Sequence, residues 1–66
     1  MKNRIKEIRK RKKLSQEDLA EKCGVSRQTI NAIENNKYDP SLSLAFSLSR
    51  KLDVSMEILF LYKEDE

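Results

Sequence analysis

The sequence contains no histidine and no tryptophan, and it holds one cysteine, one glycine and one proline in 66 residues. Without histidine, the common zinc sites and general-base arrangements are missing. The single Cys23 excludes an intramolecular disulfide and reads as a small buried filler. No nucleophile–base pair, metal-ligand cluster or glycine-rich phosphate loop is present, so the chain is not expected to be an enzyme or to need a metal or cofactor. No small-molecule ligand is expected either. No apolar run reaches the ~18 residues that would suggest a membrane span. The charges at the N-terminus are not followed by an apolar stretch, so no signal peptide is expected. A free thiol without an export signal fits the cytoplasm. The scarcity of glycine and proline argues against a strand-and-turn architecture, which needs more punctuation.

What is present is charge, unevenly spread. Residues 1–37 hold eleven Lys/Arg against five Asp/Glu, a balance of +6, and residues 38–66 carry −3. That asymmetry suggests an N-terminal surface that meets a polyanion. Charge alone does not separate DNA from RNA or an anionic membrane. The length allows one domain over residues 1–66, with a small core that gains from a second subunit.

The pattern is all-α, five short helical segments, most of them opened by serine. The first, about residues 2–13, turns Ile5 and Ile8 inward and Arg4, Lys6, Lys10 and Lys13 outward. Its basic run Arg9-Lys10-Arg11-Lys12-Lys13 suits either a helix C-terminus, where cations meet the negative pole, or a phosphate contact. The second is capped by Ser15, with Asp18 completing a capping box and Leu14 and Leu19 at the spacing of a hydrophobic staple. Cys23-Gly24-Val25 forms the following turn, with Gly24 suited to a left-handed conformation. The third runs from the Ser26 cap to Asn35, where Asn36 tolerates positive φ and Pro40 bars continuation. The fourth runs from Ser41 to about Leu52, with Leu42, Ala45, Phe46, Leu48 and Leu52 expected in the core. The fifth is capped by Ser55, with Ile58 expected inward. Met56, Leu59, Phe60, Leu61 and Tyr62 remain as surplus apolar surface. Such surplus on a small domain marks a partner surface, so about residues 58–66 are read as dimerisation segment and tail.

The third segment has two unlike faces. Ile30 and Ile33 share an inner face. At about 100° per residue, the opposite face is centred on Gln28, Asn31, Ala32 and Asn35, flanked by Arg27 and Thr29. Carboxamides and a guanidinium are weaker helix formers for a solvated face than Lys and Glu. They suit base edges in the major groove, where Gln or Asn meets adenine and Arg meets guanine with two hydrogen bonds. Only three residues separate the second helix from the Ser26 cap, so the two cross steeply, as in a helix-turn-helix.

These residues as a set resemble the Cro/lambda-repressor type of helix-turn-helix domain. The resemblance runs from about Ile5 to Ile58. It rests on Leu14-Ser15-Gln16-Glu17-Asp18-Leu19-Ala20, Gly24-Val25-Ser26-Arg27-Gln28-Thr29-Ile30, Ile33-Glu34-Asn35, Lys37, Pro40-Ser41 and Leu44-Ala45. It implies a five-helix transcription-factor fold that binds double-stranded DNA. It implies base contacts from Arg27, Gln28 and Asn31. It implies backbone contacts from Gln16, Ser26, Thr29, Asn35, Asn36, Lys37 and Tyr38. Arg9 and Glu34 match a pair that forms a structural ion bridge. Asn36 replaces a frequent glycine, and Ala32 replaces a longer base-reading side chain.

The expected function is a sequence-specific transcriptional regulator, a repressor acting as a homodimer on a pseudo-palindromic operator, with Met56, Leu59, Phe60, Leu61 and Tyr62 at the dimer interface. The alternative is an antitoxin or anti-regulator module that uses the same fold to bind a protein. An RNA-binding role lacks an aromatic stacking platform.

Overall fold

The computed structural model describes residues 1–61. The element order is β1 (Lys2–Asn3), α1 (Ile5–Arg11), α2 (Gln16–Cys23), α3 (Arg27–Glu34), α4 (Leu42–Leu52), α5 (Met56–Leu59) and β2 (Phe60–Leu61). Four helices begin with a serine whose hydroxyl accepts the backbone N–H three residues on. Ser15 serves Asp18, Ser26 serves Thr29, Ser41 serves Leu44 and Ser55 serves Ile58. At α2 the cap is reciprocal, since the Ser15 N–H donates to Asp18 Oδ2 at 3.0 Å.

Helix ends are as uniform as their starts. Lys13, Gly24, Asn36 and Asp53 all adopt left-handed φ, between 58° and 70°. At each, two backbone N–H groups fold back onto the last-turn carbonyls, as when Lys13 N–H donates to Lys10 O and Leu14 N–H to Arg9 O. Gly24 and Asn36 are the expected residues for this geometry. Lys13 and Asp53 carry no such signal.

The core collects Ile5, Ile8, Leu19, Ala20, Ile30, Ile33, Ala45, Leu48, Leu52, Leu59 and Phe60 from every helix and β2. The first expected segment is shorter than its charge pattern suggested, because Lys2 and Asn3 are extended. They pair antiparallel with Leu61 and Phe60. Asn3 marks the change of structure: its Oδ1 accepts the Ile5 N–H, and its Nδ2 donates to Ile33 O at 2.9 Å.

Two expectations for the second half are corrected. Leu42 and Phe46 are not core residues but 70% and 51% exposed. The inner arc of α4 is centred between Leu48 and Ala45, and at 100° per residue Leu42 and Phe46 fall about 90° and 130° away from it. The buried residue on that side is Ser49, whose hydroxyl donates to Phe46 O. In α5 the inward residue is Leu59, not Ile58. Leu59 is fully buried while Ile58 is half exposed. The four-residue helix turns Met56 and Leu59, three apart, toward the core. The Leu59 carbonyl accepts the Arg4 N–H at 2.8 Å, which fixes this rotation. Leu59 is thus fully buried within the subunit and cannot serve as an interface side chain, whereas Phe60 is 8% exposed and reaches the surface only where it lines a groove with Leu42, Ala45 and Met56. Met56 is half-buried and Leu61 partly exposed. Tyr62 lies outside the described residues.

Candidate nucleic-acid interface

α3 lies between a fully apolar inner face and an exposed polar outer one. Ile30 and Ile33 are buried in the core, whereas Arg27, Gln28, Asn31 and Asn35 are exposed. Thr29 and Ala32 are intermediate. Arg27 and Gln28 occupy the first turn after the Ser26 cap, so their side chains project from the N-terminal end of the helix. Neither has a side-chain hydrogen-bond partner among the described residues.

Around this face the polar groups are already organised. Arg9 Nε donates to Glu34 Oε2 at 2.7 Å and its terminal nitrogen to Glu34 Oε1 at 3.2 Å. Its other terminal nitrogen donates to Leu14 O at 2.8 Å. One guanidinium therefore joins α1, the turn before α2, and the end of α3 in a fork geometry suited to a carboxylate. Gln16, at the first turn of α2, donates from Nε2 both to Glu34 Oε1 at 3.0 Å and to Asn31 Oδ1 at 3.2 Å. Asn35 Nδ2 donates to Asn31 O and Asn31 Oδ1 at 2.8 and 2.9 Å.

This network sorts the expected backbone-contacting residues into two groups. The side-chain N–H groups of Gln16 and Asn35 are both occupied within the protein, so neither offers a free amide donor to a phosphate. Gln16 retains its backbone N–H, one of the first-turn groups that lack an intrahelical partner. Ser26 Oγ and Thr29 Oγ1 are 3.0 Å apart, and only one of their two protons is needed between them. The other is left for an acceptor. Asn36, Lys37 and Tyr38 are exposed on the loop after α3. The left-handed Asn36 turns this loop, whose Lys37 N–H is anchored on Ala32 O at 2.9 Å.

The basic run that begins with Arg9 continues through the end of α1 to Lys13. Lys10, Lys12 and Lys13 are exposed, and Arg11 pairs with Glu7 at 2.9 Å one turn back. Asp18 stands at the start of α2 with its carboxyl held below the usual carboxylate range, first by the Ser15 backbone N–H and then by the Ser15 side chain. Burial raises the Cys23 thiol above its ordinary value, partly offset by the nearby Lys51 charge. Cys23 is half-buried against the core, which fits a filler more than a reactive thiol.

Residues 5–59 match the family model described as helix-turn-helix. The chain belongs to the helix-turn-helix family. It is 56% identical, over the whole of both chains, to an uncharacterised HTH-type transcriptional regulator of Methanocaldococcus jannaschii. It is 41% identical over 56 residues to the immunity repressor protein of Bacillus phage phi105, covering 85% of this chain and 39% of that one. It superposes with a TM-score of 0.75 on the biofilm master regulator SinR in complex with DNA, at 42% identity, covering 82% of this chain and 87% of that one. This helix-turn-helix protein is a DNA-binding transcriptional regulator of the Cro/lambda-repressor type and not an enzyme. No helix among its described residues is long and apolar enough to cross a membrane.

Proposed function

We propose that the protein is a repressor that binds a pseudo-palindromic operator as a homodimer, with α3 in the major groove. The observation that carries this reading is the outer face of α3, where Arg27 and Gln28 are exposed and unpaired ahead of a buried apolar face. Arg27, Gln28 and Asn31 read bases. Ser26, Thr29, Asn36, Lys37, Tyr38 and the Gln16 backbone N–H hold phosphates. Gln16 and Asn35 act with their side chains as supports for Asn31. Lys10, Lys12 and Lys13 add attraction for the polyanion that does not depend on sequence.

A single small domain makes too few base contacts to stand out against genomic competitors. Two copies place their recognition helices in successive major grooves, about 34 Å apart. The dimer surface follows the apolar side chains left in water: Leu42 and Phe46 one turn apart on α4, Ile58 on α5 and Leu61 on β2. An open apolar groove of ≈ 660 Å³ runs between α4 and α5, lined by Leu42, Ala45, Met56 and Phe60 among others. Residues 1–66 form one such binding unit, and repression is by occlusion of polymerase.

Selection of bound sequences from a random DNA pool tests the reading. The expected product is a pair of inverted half-sites with centres about 10 base pairs, or a multiple of that, apart. Recovery of no motif, or of a single uninverted one, contradicts it.

A further inference from the structure

The side-chain amides between α2 and α3 are oriented by groups that can only accept. Glu34 Oε1 is a carboxylate oxygen and Asn31 O is a carbonyl oxygen. The Gln16 atom 3.0 Å from Glu34 Oε1 is therefore the amide nitrogen. Its second hydrogen points at Asn31, 3.2 Å away, so the Asn31 atom that receives it is Oδ1. Asn35 repeats the logic from the other side: Nδ2 must face the Asn31 carbonyl, and its second hydrogen also goes to Asn31 Oδ1. Asn31 Oδ1 thus accepts two hydrogen bonds, the capacity of an amide oxygen. Asn31 Nδ2 has no hydrogen-bond partner among the described residues, and Asn31 is exposed.

We propose that Asn31 reads DNA as a donor only, selecting a keto base, guanine first, and rejecting adenine. Guanine presents two acceptors in the major groove, N7 and O6, and thymine presents O4. Adenine places an amino donor beside N7, which needs an acceptor opposite it. Asn31 Oδ1, already filled by Gln16 and Asn35, does not supply one. The two-pronged adenine contact open to asparagine in general is closed to this one, whereas Gln28, with no internal partner, keeps both halves of its amide. Gln16 and Asn35 are positioning residues, and Glu34, held by Arg9, sets the first amide. The inference rests on the reading of α3 as the DNA-binding helix.

The test is quantitative binding of the full chain to operator duplexes that carry each of the four bases at each half-site position. Asn31→Asp is the informative variant, because it keeps the oxygen that accepts from Gln16 and Asn35 and changes the outward donors to an acceptor; it also adds a negative charge that lowers affinity for every duplex, so its base preference is read relative to its own mean affinity. Asn31→Ala should flatten one position at which the native chain prefers guanine or thymine, by about two- to tenfold, the worth of one neutral hydrogen bond. Asn31→Asp should turn the preference at that position toward the amino bases, cytosine and adenine, whose N4 and N6 donate. Gln16→Met should admit adenine there, whereas a merely structural role for Gln16 lowers affinity for all duplexes alike. An adenine preference at the Asn31 position, or no position altered by Asn31→Ala, overturns the proposal. Gln28→Ala is the control: if it relaxes its own position while Asn31 shows an adenine preference, only the orientation argument fails. If neither variant alters any position, the DNA reading of α3 fails with it.

Discussion

Arg9 Nε lies 2.7 Å from Glu34 Oε2, and both side chains are almost fully removed from water. This contact ties the first helix to the end of α3 and, through Gln16, to the face that carries Asn31. A buried ion pair is not in itself strong evidence of stability, since desolvation offsets much of the attraction. Here the pair is fully hydrogen-bonded, and no buried side-chain polar atom among the described residues lacks a partner.

Arg9→Met leaves the Glu34 carboxylate buried without its cation, and Leu14 O without its donor. The expected cost is about 3–5 kcal/mol, against a total stability of roughly 3–10 kcal/mol for a chain of this length. Urea denaturation should show a largely unfolded variant. Arg9→Met with Glu34→Leu should recover part of the loss but not all, because Leu14 O still lacks its donor and Gln16 Nε2 keeps only its bond to Asn31 Oδ1. A single variant as stable as the native chain contradicts this account of the pair.

Lys13 sits at φ 60° where glycine is the usual residue. Its side chain is exposed, so Lys13→Gly removes strain without removing packing. The left-handed cost of a side chain, about 1–2 kcal/mol, is partly offset by the greater freedom of glycine in the unfolded chain. A net gain of about 0.5–1 kcal/mol should appear as a higher denaturation midpoint. A lower midpoint shows that Lys13 makes a compensating contact.

Much of this fold is legible in the residues because its helix boundaries are chemical. Four serines start helices by accepting an N–H, and Gly24 and Asn36 mark two of the left-handed ends. Lys13 and Asp53 escape notice because the local hydrogen bonds of a helix end impose the conformation on residues with no preference for it. The strand pair escapes notice because two residues on each side carry no alternation, and pairing is set by where Leu59 places the chain. The inward side of α5 was one residue off for the same reason: a helix of one turn has too few apolar positions to show its phase. At the site, residue types point to α3, but hydrogen bonds between side chains fifteen and eighteen residues apart decide which donors remain free. Periodicity holds no trace of that occupancy.

The Asp18 carboxyl is held below its ordinary value near 3.9, so the charged form stabilises the fold. That contribution is fully present above the unfolded-state pKa and is lost as pH falls through the lower folded-state pKa. In thermal denaturation, the native chain should exceed Asp18→Asn by a constant margin from pH 5 to 7, and the margin should shrink below about pH 4. A margin that grows with acid contradicts the capping role.

Phe46 and Leu42 leave two large apolar side chains in water on one face of α4. Phe46→Glu should yield monomers by sedimentation and weaken operator binding, with the thermal midpoint of the monomer little changed because the side chain is half exposed. Leu59→Ala, by contrast, removes a fully buried side chain and should cost about 2–5 kcal/mol of stability. A Phe46→Glu dimer of native affinity removes the α4 face from the interface.

On the proposal that the outer face of α3 reads bases, Gln28, exposed and without an internal hydrogen-bond partner among the described residues, carries the sharpest consequence. The measurement is the affinity of Gln28→Ala for the selected operator and for single-base variants of it. The predicted result is a loss of about 1–3 kcal/mol of specific binding, with relaxed preference at one position per half-site and an unchanged salt slope. Native affinity with native preference at every position would contradict it.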